Sequence, residues 1–323
     1  MALSGVALVT GGAGFIGSHI AAALAKSGAR VRIIDDLSTG YRENIADIGS
    51  DIDFVQGSIT DEKVLGRALQ GVELVFHEAA IPSVPRSIEK PVETHKASVD
   101  ATFSLLLGAR DHRIRRLIYA ASSSAYGNQP GLPKREDMRP DPLSPYAVAK
   151  IVGELYCQVF TRVYGLETVS LRYFNVFGPR QDPSSQYSGV VSRFISALLC
   201  KGQPVIYGDG EQSRDFTYVS NVVEANLRAA EAAQAVGRVI NIASGERVTI
   251  NALLASVKKL TGQTNTRAEY AAPRAGDVHD SLADLTLARS LLGYQPRIGL
   301  EEGLRLTIDW WQTSRFRTST TAL

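Results

Sequence analysis

The chain is short of cysteine, of one-signed charge and of long apolar runs, and each shortage closes off a class of protein. Only two of its 323 residues are cysteine, Cys157 and Cys200, both in stretches that read as helical. No disulfide framework or thiolate metal cluster is expected, and a reducing cytoplasm suits the chain. The five histidines (His19, His77, His95, His112 and His279) show no ligand spacing, so no metal is expected. Lys plus Arg number 35 against 33 Asp plus Glu, a net charge of +2 that points to no polyanion and hence to no nucleic-acid partner. One basic stretch, from Arg110 to Arg116, is interrupted by Asp111 and runs into an apolar strand, which fits a solvated helix end better than a nucleic-acid patch. No apolar run approaches membrane-spanning length, and no basic segment followed by an apolar one opens the chain. Secretion and membrane insertion are both disfavoured.

What remains is a globular composition, 44% hydrophobic and 21% charged, long enough for a large domain and a smaller lobe. Along the first half, short apolar runs alternate with amphipathic stretches. Val6–Thr10 reads as a strand, Phe15–Ser27 as a helix, and Val31–Asp35 and Ile52–Val55 as strands. Asp61–Leu69 reads as a helix, Leu74–His77 as a strand, Pro91–Arg110 as holding a long helix, and Leu117–Ala120 as a strand. This alternation predicts an α/β fold, a doubly wound parallel sheet covered on both faces. The second half is less regular. Gly178–Ser188 and Gly208–Ser213 read as loops over a site, and Arg238–Ile242 as a return to the sheet after a helix. Ile250–Thr261 and Leu300–Trp311 belong to a smaller C-terminal α/β lobe, ahead of a frayed tail. No internal repeat or long linker divides the chain.

The run Thr10-Gly11-Gly12-Ala13-Gly14-Phe15-Ile16-Gly17 joins the first strand to the first helix. Gly11, Gly14 and Gly17 permit a tight turn, close approach of backbone to a pyrophosphate, and packing of helix on strand. The helix N-terminus then offers unpaired N–H groups to the phosphates. Asp35 closes the second strand, 18 residues beyond Gly17, where a carboxylate accepts hydrogen bonds from ribose hydroxyls and repels a 2′-phosphate. Alone it would pass for a solvated turn aspartate; with the glycines it points to NAD rather than NADP.

Ser144 suits a helix N-cap and Pro145 the first helical position, so Tyr146 and Lys150, four residues apart, share one face. A free tyrosine, with a pKa near ~10, is a poor base at neutral pH. A lysine ammonium and an oxidised nicotinamide beside it would favour the phenolate. Ser122, Ser123 and Ser124 follow directly on the strand ending at Ala120, at the crevice side of such a sheet. For Ser123 and Ser124 a plain Ser-rich turn and a substrate contact remain equal readings.

Together with Leu171-Arg172-Tyr173-Phe174-Asn175-Val176-Phe177-Gly178, these motifs resemble the extended short-chain dehydrogenase/reductase family, whose core is a Rossmann domain. The segments 35–40, 83–87 and 209–216 narrow the likeness to UDP-hexose 4-epimerases, nearest the UDP-N-acetylglucosamine 4-epimerase branch, over residues 5 to about 311. The resemblance implies an NAD-binding domain over 1–175 plus 216–242, and a UDP-sugar lobe over 176–215 plus 243–323. It implies Tyr146 as catalytic base, Lys150 as the residue lowering its pKa, and Ser122 as the catalytic serine. It extends the cofactor set to Phe15, Ile16, Ser58, Ile59, Ala79 and Ala80. Asn175, Arg214 and Arg274 would hold the UDP pyrophosphate, Asp277 the uridine ribose, and Tyr207 would face uracil. Ser83, Arg86 and Val190 complete the implied substrate set, and pairing of two helices, Asp100–Arg110 and Tyr146–Tyr164, would make a homodimer.

The implied reaction takes the carbon-4 hydrogen as hydride to tightly held NAD, turns the 4-keto sugar over and returns the hydride to the other face. A 4,6-dehydratase would need an acid and a base after its post-strand hydroxyl, where this chain has Ser123 and Ser124. A UDP-glucuronate 4-epimerase or decarboxylase remains an alternative within the scaffold, and a catalytically silent NAD-binding scaffold one outside it. Ser281 matches the position controlling pocket width; its small side chain leaves room for an N-acetyl group and favours UDP-GlcNAc/UDP-GalNAc, with UDP-Glc/UDP-Gal as a further pair. A plain capping serine before a helix would fit there equally well. Three residues depart from the family pattern: Pro82 for a glycine, Ser58 for an aspartate that meets adenine, and Ser98 for an asparagine behind the catalytic residues.

Overall fold

The computed structural model describes residues 5–49, 52–182, 189–273 and 278–313. Six strands, β1 (Val6–Thr10), β2 (Arg30–Asp35), β3 (Asp53–Gln56), β4 (Val72–His77), β5 (Arg116–Ser122) and β6 (Glu167–Tyr173), lie in the order β6-β5-β4-β1-β2-β3. A seventh, Val239–Ile242, extends the sheet beyond β6, and every pairing is parallel. The strand order reverses between β1 and β4, so a crevice opens beyond their carboxyl ends. The expected doubly wound sheet is what the chain forms.

Alternation along each strand sends neighbours to opposite faces. Ala7, Val9 and Phe76 enter one core, while Leu8, Val75 and Leu117 enter the other. Both faces are covered, so these strands are nearly continuous apolar runs, the pattern that made them legible. A third core, built on Phe177, Phe194, Ile206, Leu253, Leu304 and Trp311, gathers the helices Val190–Leu199, Ile250–Thr261 and Leu300–Thr313. The short strand Val205–Tyr207 pairs with Glu269–Ala271, and Ser213–Arg214 with Val248–Thr249.

Two elements carry no plain sequence signal. In β6 the polar Thr168, Ser170 and Arg172 alternate with apolar residues yet are themselves buried. Thr168 Oγ1 donates to the Cys157 carbonyl and Arg172 to Glu154, so polarity there marks satisfied burial, not solvent. The helix Val190–Leu199 was likewise unexpected. The helix expected within Pro91–Arg110 is Pro91–His95, then a π-type turn over 96–100, then Ala101–Asp111. Among the described residues, no helix is long and apolar enough to cross a membrane.

Candidate active site

A cleft of about 1150 Å³ crosses the carboxyl ends of the strands, and every described residue expected at the site lines it. Arg274 and Asp277 lie outside the described residues.

On one side stands the loop between β1 and the helix Phe15–Lys26. Gly11 takes φ +63°, and a Cβ there would sit 2.8 Å from the backbone of Ala79. A Cβ on Gly17 would collide with the Gly11 carbonyl oxygen. Side chains are thus excluded where backbone packs on backbone, and the tight loop brings its N–H groups to the helix N-terminus, where a pyrophosphate can bind. Asp35 is only 8% exposed. Its carboxylate accepts from the Ala13 N–H at 2.9 Å and the Leu37 N–H at 2.8 Å, so it ties the glycine loop to the loop after β2. Burial pushes its pKa up while those two N–H groups pull the other way. The donor-rich loop, the helix terminus and the carboxylate fit an NAD molecule. Ser58 lines the same side, its hydroxyl 2.8 Å from that of Thr60.

At the centre β5 ends on Ser122, whose oxygen accepts from the Ser124 N–H at 3.2 Å and the Ser124 hydroxyl at 2.9 Å. That commits Ser124 to shaping the turn. The helix Pro145–Tyr164 is capped by Ser144, whose oxygen accepts from the Ala147 N–H at 3.2 Å. This cap and the helical spacing bring Tyr146 and Lys150 to the cleft together, the Lys150 nitrogen 6.0 Å from the Tyr146 ring centroid. Lys150 Nζ donates to the Ala120 carbonyl at 2.7 Å, anchoring the helix to β5. In the protein by itself the Tyr146 phenol does not titrate low. Burial pushes it up, the Ser122 hydrogen bond opposes, and Glu78 adds to the rise. In the protein alone desolvation is the largest effect on this phenol. Behind these residues Ser98 is buried, and its hydroxyl finds no partner among the described residues.

On the far side Asn175, Tyr207, Arg214 and Ser281 converge from four separate segments. Ser281 is not a helix cap: the next helix, Thr286–Leu292, begins later and has Leu285 at its N-cap. Instead the Ser281 hydroxyl accepts from Asn175 Nδ2 at 3.2 Å and from the Asp215 N–H at 3.3 Å. Asp215, fully buried, accepts from the N–H groups of Ser244, Gly245 and Ala283 and from the Ser244 hydroxyl. Arg214 Nη1 donates to the carbonyls of Ser213 and His279, both at 2.9 Å.

Several lining residues carry no plain signal in the sequence, among them Tyr41, Glu78, Arg193 and Gln212. The Tyr41 hydroxyl donates to Asp182 at 2.7 Å, joining the two banks of the cleft. Arg193 stacks its guanidinium over Tyr207, 5.4 Å from the ring centroid. It lies one helical turn after Val190, so recognising that helix would have found it. Glu78 had only its place at the end of β4 to signal it.

With this geometry in hand, a family model described as the NAD dependent epimerase/dehydratase family matches residues 7–243. A putative UDP-glucose 4-epimerase of Methanocaldococcus jannaschii is 39% identical over 309 residues, covering 95% of this chain and 98% of its own. The solved UDP-N-acetylglucosamine 4-epimerase of Methanobrevibacter ruminantium M1, in complex with UDP-N-acetylmuramic acid, has a TM-score of 0.91 at 40% identity and covers 96% of this chain and 98% of that one. The UDP-glucose 4-epimerase of Thermotoga maritima with UDP-glucose has a TM-score of 0.91 at 39% identity, covering 98% and 99%.

Proposed function

The chain belongs to the NAD dependent epimerase/dehydratase family, and from that membership we propose that it inverts carbon 4 of a UDP-sugar, favouring UDP-GlcNAc/UDP-GalNAc. The family resemblance read from the motifs is borne out, and NAD is the cofactor. The observation that carries the proposal is the meeting of Ser122, Tyr146 and Lys150 in one cleft with the glycine loop and Asp35. The reading assigns 1–175 with 216–242 to the cofactor and 176–215 with 243–323 to the UDP-sugar.

Bound NAD supplies the two-electron acceptor for carbon 4 and, oxidised, the positive charge that favours a phenolate. Tyr146 takes the proton of the carbon-4 hydroxyl, directly or through Ser122, and later returns it. Lys150 holds its ammonium beside the ring, fixed by the Ala120 carbonyl. Asn175, Arg214 and Arg193 hold the nucleotide end, with Tyr207 against the base, so the 4-keto sugar turns about a fixed anchor. What supports the N-acetyl choice is Ser281, a small side chain lining the cleft beside Asn175.

A second copy of the chain covers the helix Pro145–Tyr164, which exposes Val148, Leu155, Val159 and Val163 along one stripe. The free cysteines suit a reducing cytoplasm.

The deciding experiment is NMR of the purified protein with UDP-GlcNAc, UDP-Glc and UDP-GlcA in turn, without added cofactor. The 4-epimer of the N-acetyl sugar is expected to appear fastest. Tyr146→Phe is expected to keep bound NAD and to lose roughly a thousandfold in kcat. Near-normal turnover in that variant would remove Tyr146 from the chemistry.

A further inference from the structure

Glu78 follows the last residue of β4, one step past the pairing of His77 with Tyr119 on β5. That register sets it beside Ala120, whose carbonyl accepts from Lys150. Glu78 Oε1 accepts from the Tyr173 hydroxyl at 2.8 Å, and that hydroxyl accepts in turn from Asn226 Nδ2 at 2.8 Å. Tyr173 belongs to one core of the sheet, whereas Tyr119 and Cys157, the neighbours of Lys150, belong to the other. Glu78 and Lys150 therefore reach the same carboxyl edge from opposite faces, and both line the cleft.

A buried ammonium needs a negative partner. The carbonyl, the Tyr119 ring and, while it keeps its proton, the Tyr146 ring carry no net charge. Glu154, one helical turn along, is bound by both oxygens to Arg172 at 2.8 and 2.7 Å, and that pair neutralises itself. The other titratable groups facing this point are uncharged. Burial pushes the His77 imidazole down to about 3 and the Cys157 thiol up to about 12, and raises the phenols of Tyr119 and Tyr173. Glu78 is the carboxylate without a cation of its own, and its charge supports the Lys150 ammonium more than that of Glu154 does. Burial pushes its carboxyl up and the Lys150 ammonium down, and each charge opposes the shift of the other.

We propose that Glu78 is the counter-ion of the reaction centre, a positioning residue that keeps the buried Lys150 ammonium charged and so sets the pH range over which Tyr146 works. This rests on the roles given to Tyr146 and Lys150 above. One negative charge raises the pKa of both neighbours, so losing it moves both ionisations the same way. At lower pH Tyr146 becomes a phenolate and Lys150 gives up its proton.

The test follows epimerisation of the UDP-sugar against pH by the NAD-loaded full chain, comparing wild type, Glu78→Gln and Glu78→Asp. Glu78→Gln is expected to move both limbs of the kcat profile to lower pH by about one unit, and Glu78→Asp to leave them in place. The Tyr146 tyrosinate absorbance, taken as the difference from Tyr146→Phe, moves with them. Superposable profiles for wild type and Glu78→Gln overturn the proposal, as does an equal shift in Glu78→Asp. A fully active Tyr146→Phe strikes the parent reading instead, and the tyrosinate titration still judges Glu78. Lys150→Met reads the pair from the other side, whether or not Glu78→Gln folds. With its cation gone Glu78 is expected to protonate, and an infrared band of a neutral carboxyl appears at neutral pH. No such band overturns the proposal.

Discussion

Ser281 is a small side chain at a point of the cleft where a large one would take up room. Its hydroxyl is engaged by Asn175 and by the Asp215 backbone where it lines the cleft, and in the proposed function the sugar lies against it. Ser281→Tyr would fill that space and break both contacts. Turnover of N-acetyl sugars is expected to fall by roughly a hundredfold or more in kcat/KM, with UDP-Glc less affected; unchanged activity on UDP-GlcNAc would remove Ser281 from substrate choice. His77 acts on stability instead. It is bonded to the hydroxyls of Thr10 and Thr102, and burial lowers its pKa from 6.5 to about 3. The folded chain keeps this imidazole neutral while the unfolded chain protonates it. Stability is therefore full above 6.5 and is lost as pH falls toward 3, by roughly 1.4 kcal/mol per pH unit for this residue. His19, lowered to about 4, adds in the same direction. Urea midpoints at about pH 7 and about pH 5 measure the slope, which His77→Asn is expected to make shallower.

At the scale of elements, the helix Pro145–Tyr164 serves two masters. Its inward face carries Lys150, Glu154, Cys157 and Phe160, all buried. Its outward stripe of exposed apolar residues, with Phe103 on the helix Ala101–Asp111, is a surface that water disfavours. Val159→Lys puts a charge in the middle of that stripe. In analytical ultracentrifugation the wild type is expected to sediment as a dimer and the variant as a monomer, and a monomeric wild type would leave the stripe needing another cover. The elements legible in the sequence were those whose burial is apolar on both faces, such as β1, β2 and β4. β6 was not, because its buried Arg172 and Thr168 look like solvent-facing residues until Glu154 and Cys157 are seen beside them.

For the whole molecule, the cofactor half was the legible half. Gly11, Gly17, Asp35, Tyr146 and Lys150 fall at fixed offsets from strand and helix ends, and backbone geometry alone dictates what those offsets can do. The opposite bank of the cleft is assembled from Asn175, Arg193, Tyr207, Arg214 and Ser281, whose meeting depends on how separate segments pack and not on one local pattern. Arg193 was missed because its helix was not recognised, and Glu78 because a strand-end position alone does not mark a residue. The same contrast has a consequence for synthesis. As the chain leaves the ribosome, every residue of the glycine loop and the Tyr146 helix is already present once Tyr173 has emerged. Asp215 must still wait for Ser244, Gly245 and Ala283, the donors that satisfy its buried carboxylate. Until they arrive the carboxylate keeps its water, because burying it without those donors would cost too much, so this wall of the cleft stays unformed in the nascent chain. A product cut short before Ser244 would carry the glycine loop, the Tyr146 helix and Arg214, and would lack Ser281 and every donor that satisfies Asp215.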